Sequence, residues 1–417
     1  MVIIDSENIF GIIGRTLGYV NDSLLNHGER VAYMVLKMME EDGRYSKETI
    51  RSGAFLAAFH DIGAYKTEEI ENILQFEVDK VWDHSVYGYL FVTYMTPFKD
   101  MAAAVLFHHL EYDKLKKIDA PYKELAAIIK VADRIDVGLN SPMGIKVVDY
   151  IHKDRGTRFS PEAVDLFDRV EEKYHVIQDI QSGKYLGQIK KLLKRVPFDE
   201  HEIDDFLEML VSTIDFRSEY TVTHTIITTS IAVELGRKLK LDESALIRLN
   251  YGTLLHDLGK IGIPMEILEY PGKLNFKDME KMKTHVNLTE KIMGGDIEEE
   301  TMRISLRHHE KLDGSGYPRG LRREELTLPE RIVAVADIVS ALSGKRSYKE
   351  PFDTKLITKI ILEMKDAGQL CPEVVDVMIN EFDHIMEKVK EMCKPTLKAY
   401  TNISTEYETL KKRLEDF

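Results

Sequence analysis

Apolar residues recur three and four positions apart along most of this chain, as in ERVAYMVLKMMEED (29–42), HTIITTSIAVELGRKLKL (224–241) and PERIVAVADIVSAL (329–342). That period gathers them on one face of an α-helix. Alternation with a period of two, the mark of a half-buried strand, is scarce, so the pattern predicts an all-α fold. No Pro-, Gly- or Ser-rich linker divides the chain. Pro197 interrupts the helical pattern, and Asp199 follows where a carboxylate can accept from the free N–H groups of the next helix, making a short, semi-rigid connection. From Phe382 onward the chain reads as helices with a charged face, suited to terminal packing or to a homodimer surface.

The polar residues that interrupt the apolar faces recur as an ordered set. His27, His60-Asp61, His84, His108-His109 and Asp133 in the first half match His224, His256-Asp257, His285, His308-His309 and Asp337 in the second. The intervals agree, with 33 and 32 residues from the first His to the His-Asp pair and 24 and 23 from the lone His to the His-His pair. Flanking words repeat as well, FHDIG with LHDLG and IIKVADRI with IVAVADIV. This is an internal duplication, with one unit expected over 1–196 and the other over 197–417.

Mixed His and Asp donors without thiolate suit Fe, Mn and similar divalent ions. Five histidines and two aspartates per unit exceed one four-coordinate ion, so a dinuclear centre is expected, bridged by the Asp of the His-Asp pair. Two ions about 3.5–4 Å apart activate water for in-line attack on phosphorus and stabilise the leaving oxygen. The remaining histidines, His152, His175, His201 and His384, read as surface or packing residues.

The ordered pattern resembles the HD-domain metal-dependent phosphohydrolase superfamily. HDLGKIGIP (256–264) and HHEKLDGSGYPRGL (308–321) are similar to the HD-GYP subfamily, which hydrolyses cyclic dinucleotides, whereas the first unit resembles only the wider superfamily. The resemblance implies one metal on His224, His256 and Asp337 and another on His285, His308 and His309, with Asp257 bridging. The first unit keeps the equivalent set, His27, His60, Asp61, His84, His108, His109 and Asp133, and is expected to hold metal too. Lys260 matches the family lysine at the scissile phosphate, and Arg346 and Lys349 match its basic pair. Gly314, Gly316, Tyr317 and Pro318 read as a loop, the glycines permitting left-handed backbone, and the resemblance implies that it shapes the pocket and offers a surface to a signalling partner. A third ion in some members uses a Glu where this chain has Tyr220, with Glu219 one place off. Ser340 replaces a second Asp able to position the lysine or assist proton transfer. In the first unit Ala64 stands in place of the lysine, with Lys66 as a substitute, and the Gly-Tyr-Pro loop and basic pair are missing.

Charge changes what this implies. With 57 Lys and Arg against 71 Asp and Glu the net charge is −14, which excludes nucleic-acid polymers and anionic membranes as broad electrostatic partners. Two cysteines, Cys371 and Cys393, exclude a disulfide framework or a thiolate zinc site, and no apolar run approaches a bilayer span, so a cytoplasmic protein is expected. The expected activity is hydrolysis of a 3′,5′-cyclic dinucleotide, cyclic di-GMP first and cyclic GMP-AMP second, to a linear dinucleotide and onward to mononucleotide. Catalysis would rest on Asp257 and Lys260, and substrate binding on Lys260, Gly316, Tyr317, Arg346 and Lys349. The alternatives are a nucleotide phosphohydrolase centred on the first unit and a non-catalytic module that binds cyclic dinucleotide or a partner.

Overall fold

The computed structural model describes residues 4–20, 26–66, 82–141, 144–217, 223–295, 297–344 and 353–415. Among these residues the fold is all helical, the sole extended pairings being the isolated bridges Arg155–Phe159 and Asp313–Arg322. The helices that bear on the sites are α1 Ser6–Val20, α2 His27–Asp42, α3 Lys47–Ala58, α4 Trp82–Met95, α5 Ala103–Phe107, α6 Lys123–Leu139, α7 Glu200–Asp215, α8 His224–Lys238, α9 Glu243–Leu254, α10 Phe276–Met293, α11 Glu299–Leu306, α12 Leu328–Ser343 and α13 Phe382–Glu415. Other helices lie within 147–195 and 354–380. No described helix is long and apolar enough to cross a membrane.

Packing separates two compact units, Asp5–Met209 with Asn402–Phe417, and Met1–Ile4 with Leu210–Thr401. The passages between them fall just before α1, inside α7 and inside α13. Pro197 precedes α7, and Asp199 caps it: the Glu202 N–H donates to Asp199 Oδ1 at 2.9 Å while the Asp199 N–H donates to Glu202 Oε2 at 2.9 Å. This reciprocal box satisfies two of the donors that a helix start leaves free.

In the C-terminal unit, α8 packs on α9 and α12, and α11 closes on α9, α10 and α12. Helix α12 begins at a second capping box, Thr327 with Glu330, followed by Pro329 in the first turn where no N–H is needed. Its Ile332, Val333, Val335, Ala336 and Val339 are fully buried against Ile231, Leu235 and Leu249. Each such Ile, Leu or Val side chain contributes roughly 1.5–3 kcal/mol through burial, and together they hold Asp337 on the inward side of the helix. The N-terminal unit repeats the arrangement: α2 lies on α3 and α6, α4 on α5, and α5 on α6. Asp133 sits in the equivalent apolar row, among Ile129, Val131, Ala132 and Ile135.

Candidate metal centres

Helix ends place the histidines. The last turn of a helix leaves carbonyls without partners, and His256 and His308 follow the ends of α9 and α11, as His60 and His108 follow α3 and α5. Nδ1 of each reaches the carbonyl three residues back: His256 to Thr253 at 2.6 Å, His308 to Ser305 at 2.6 Å, His60 to Ala57 at 2.7 Å, His108 to Val105 at 2.6 Å. His285, inside α10, does the same with Met282 at 2.7 Å. A carbonyl only accepts, so Nδ1 carries the proton and Nε2 turns inward as a donor atom for a cation.

Gly259 brings two halves of the C-terminal site together. A Cβ there would lie 1.9 Å from the His285 carbonyl oxygen and 2.6 Å from the Thr289 nitrogen, so only glycine lets the turn Leu258–Gly262 seat against α10. Gly63 repeats this in the N-terminal unit, 2.0 Å from the His84 carbonyl oxygen. The turn is further tied by Arg217, whose guanidinium donates to the carbonyls of Lys260 (3.0 Å) and Ile261 (2.6 Å).

The two oxygens of Asp257 face different histidines. Oδ2 lies 3.3 Å from His224 Nε2 and 3.1 Å from His256 Nε2, while Oδ1 lies 3.5 Å from His285 Nε2 and 3.9 Å from His308 Nε2. Asp337 Oδ1 joins the first group at 3.2 Å from His224, and its Oδ2 lies 3.5 Å from His309 Nδ1. His224, His256 and Asp257 thus form one cluster able to hold a cation, and His285, His308 and His309 another. Lys260 Nζ stands 2.5 Å from Asp257 Oδ2, on the carboxylate itself.

The charge balance calls for a cation. Burial opposes ionisation of His256, yet Asp257 and Asp337 outweigh it and push the imidazole up to about 10. Burial would raise Asp257, but His256 and Lys260 hold it well below the usual carboxylate range. Burial dominates at His309 and drives it down to about 3, against Asp337. Nε2 of His224 and of His256 and Oδ1 of Asp257 are buried without hydrogen-bond partners. Such orphaned atoms are costly in a native interior unless an ion or water meets them. Neutral imidazoles and carboxylates with no thiol fit hard or borderline divalent ions.

The N-terminal unit reproduces this geometry. Asp61 Oδ2 lies 3.8 Å from His27 Nε2 and 3.5 Å from His60 Nε2, and Oδ1 lies 3.5 Å from His84 and 3.6 Å from His108. His27, His60 and Asp133 cluster on one side and Asp61, His84, His108 and His109 on the other. Both Asp61 oxygens, Asp133 Oδ1 and Nε2 of His27, His60 and His108 are buried without hydrogen-bond partners.

The N-terminal site has two cations of its own on α6, outside the positions of the missing phosphate-contacting lysine and basic pair. Lys130 Nζ donates to the carbonyls of His109 (2.9 Å) and Leu110 (3.0 Å), and Arg134 donates to Asp133 Oδ2 through Nε (2.9 Å) and Nη2 (2.8 Å). Sequence comparison missed them because the C-terminal unit has Ala334 and Ile338 at those places. Ala64 is buried, and the side chain of Lys66 lies outside the described residues.

Around the C-terminal site the Gly-Tyr-Pro loop folds back on the His-His pair. Buried Glu310 accepts from the N–H groups of Arg319 and Leu321, both at 2.8 Å, a role the sequence did not signal. Gly314 takes positive φ (82°), as expected, but Gly316 does not; it is required because a Cβ would meet the Lys311 nitrogen at 2.4 Å and the His309 oxygen at 2.6 Å. Tyr317 lays its ring 4.6 Å from that of His309, centroid to centroid. Ser340 turns to His224: its hydroxyl donates to the His224 carbonyl (3.1 Å) and lies 3.1 Å from Nδ1. Arg346, Lys349, Glu219 and Tyr220 lie outside the described residues. His152, His175, His201 and His384 are exposed.

HD-domain family models match residues 24–138 and 207–374, one on each unit. The chain belongs to the HD-domain family. Over 398 residues, 90% of this chain and 91% of the relative, it is 27% identical to the 3′3′-cGAMP-specific phosphodiesterase 1 of Vibrio cholerae. It is 35% identical over 212 residues to a cyclic di-GMP phosphodiesterase of Thermotoga maritima, a match spanning 47% of this chain and 56% of that relative. The fold of the two HD domains is also that of a solved cyclic GMP-AMP phosphodiesterase from V. cholerae (V-cGAP3), with a TM-score of 0.59 at 16% identity over 91% of this chain and 98% of that one.

Proposed function

We propose that the C-terminal HD domain hydrolyses a 3′,5′-cyclic dinucleotide with the help of two divalent ions, iron or manganese, on His224, His256, Asp337, His285, His308 and His309 with Asp257 between them. The observation that carries this reading is the division of the two Asp257 oxygens between two histidine groups, with Nε2 of His224 and of His256 and Asp257 Oδ1 itself left without hydrogen-bond partners. Bound there, a pair of divalent ions would supply an activated water for in-line attack on phosphorus and charge compensation for the leaving 3′-oxygen.

The chain's own residues set up the rest. The site opens where side-chain exposure rises to 25% at His309, 20% at Lys260 and 11% at His224 and Asp337. A phosphodiester entering there meets Lys260, whose ammonium can shift from Asp257 to the phosphoryl oxygens as charge develops. Tyr317 walls the entrance beside His309. Arg346 and Lys349 are proposed to complete the phosphate contacts, and the Gly-Tyr-Pro loop to meet a signalling partner.

Sequence motifs put cyclic di-GMP first. The relative that aligns with nearly the whole chain is named for 3′3′-cyclic GMP-AMP, which favours that substrate here. The N-terminal HD domain, with its Asp133 and His27 almost fully covered, is read as a metal-holding regulatory half rather than a separate nucleotide phosphohydrolase. A cytoplasmic location, where such messengers are made and degraded, follows from this activity. Incubation of the manganese-loaded chain with each cyclic dinucleotide, followed by chromatography, tests the reading: linear 5′-phosphorylated product supports it, and intact substrate refutes it.

A further inference from the structure

In both units the first histidine lacks the support that most others have. His60, His108, His256, His285 and His308 each tie Nδ1 to the carbonyl three residues back. His27 and His224 open α2 and α8, so no preceding turn of their own helix supplies one. Each is supported from the helix that carries the metal-facing Asp, α6 or α12, by the residue three places after that Asp, and the two units use different chemistry there.

In the N-terminal unit that residue is Asp136, 1% exposed, with Oδ2 2.8 Å from His27 Nδ1. Arg30 holds the same carboxylate through Nε (2.5 Å) and Nη2 (2.9 Å). In the C-terminal unit it is Ser340, whose single hydroxyl proton goes to the His224 carbonyl, leaving Oγ to accept from Nδ1–H at 3.1 Å. A carboxylate behind an imidazole makes it a more basic ligand and fixes its ring, and charge-assisted hydrogen bonds are about twice as strong as neutral ones. The neighbouring carboxylates differ in how firmly they are fixed in place. Arg134 grips Asp133 Oδ2, whereas Asp337 Oδ2 has His309 Nδ1 at 3.5 Å. His27 and Asp133 are 3% and 1% exposed, His224 and Asp337 both 11%.

We propose that the residue three places after the last metal-facing aspartate sets how firmly each centre keeps the ion on its first histidine: Asp136 makes that position in the N-terminal centre a retaining one, and Ser340 makes the corresponding position in the C-terminal centre exchangeable. Asp136 and Ser340 are positioning residues, acting through His27 and His224. The inference rests on the reading that both HD domains hold metal.

The full-length chain, loaded with Mn(II), desalted and challenged with EDTA, would be sampled over time for protein-bound manganese. Two release phases are expected, differing by about 10- to 100-fold in rate, the range by which such outer partners change metal affinity. Ser340→Asp should slow the fast phase and Ser340→Ala should speed it. Ser340→Thr, which keeps the hydroxyl, should match the unaltered chain, and Asp136→Ser should speed only the slow phase. Variants are compared at equal helical circular dichroism, and the Thr and Ala pair carries the test if Ser340→Asp does not fold. A single common release rate from two loaded centres, or a fast phase indifferent to both Ser340→Asp and Ser340→Ala, overturns this inference alone. A chain that takes up manganese at neither centre overturns the metal reading itself.

Discussion

Asp257 acts through the separation of its two oxygens, so removing one charge should disable both halves of the C-terminal centre. Asp257→Asn is expected to reduce bound metal in that domain and to lower kcat by about a thousandfold or more, read by metal analysis beside initial rates. Lys260→Ala should keep the metal and lower kcat by about 100- to 1,000-fold, because its cation serves the developing charge more than the ligand set. Asp215 gives a pH-dependent prediction. It accepts from the Thr225 N–H at 3.2 Å, and burial raises its carboxyl to about 6 against the pull of His224 and Lys260. A folded-state value above the unfolded value near 3.9 means that ionisation opposes folding, from no cost below about pH 4 to the full cost above pH 6. Asp215→Asn should therefore stabilise the metal-free chain by up to about 3 kcal/mol at pH 8 and about half that at pH 5, measured by denaturant unfolding.

At the scale of elements, the turn after each His-Asp pair depends on its glycine. Gly259→Ala would force a Cβ onto the His285 carbonyl at 1.9 Å and push the turn away from α10. The expected result is a loss of about 1–3 kcal/mol with weaker metal binding, seen as a lower Tm and lower metal content. The helices themselves were legible, because the apolar period at 29–42, 224–241 and 329–342 reappears as α2, α8 and α12. So were the residues that gather in each centre, since duplication separated them from incidental histidines. What the sequence hid are partners brought in from distant segments. Ser340 behind His224, Arg217 on the turn and Lys130 on the carbonyls of His109 and Leu110 each act across a tertiary contact that no local spacing encodes, whereas Glu310 under its own loop and Arg134 beside Asp133 are near in sequence but depend on how the chain turns there. Gly316 was legible as a necessary glycine but for another reason, close approach rather than left-handed backbone.

Across the whole molecule, a duplicated HD scaffold has kept one constellation and changed its surroundings. The C-terminal domain retains Lys260, the Gly-Tyr-Pro loop and an exposed edge on its ligand set; the N-terminal domain spends its nearby cations on its own carbonyls and carboxylate. With a net charge of −14, anion affinity has to come from the site itself, and it should fall with the metal. The central claim is that the C-terminal centre hydrolyses a cyclic dinucleotide. Its most direct test is the turnover of 3′3′-cyclic GMP-AMP and cyclic di-GMP by the manganese-loaded full-length chain and its Asp257→Asn and Asp61→Asn variants, with products resolved by ion-exchange chromatography. Linear dinucleotide formed by the unaltered chain and by Asp61→Asn, but not by Asp257→Asn, is the predicted result; undiminished turnover in Asp257→Asn would contradict it.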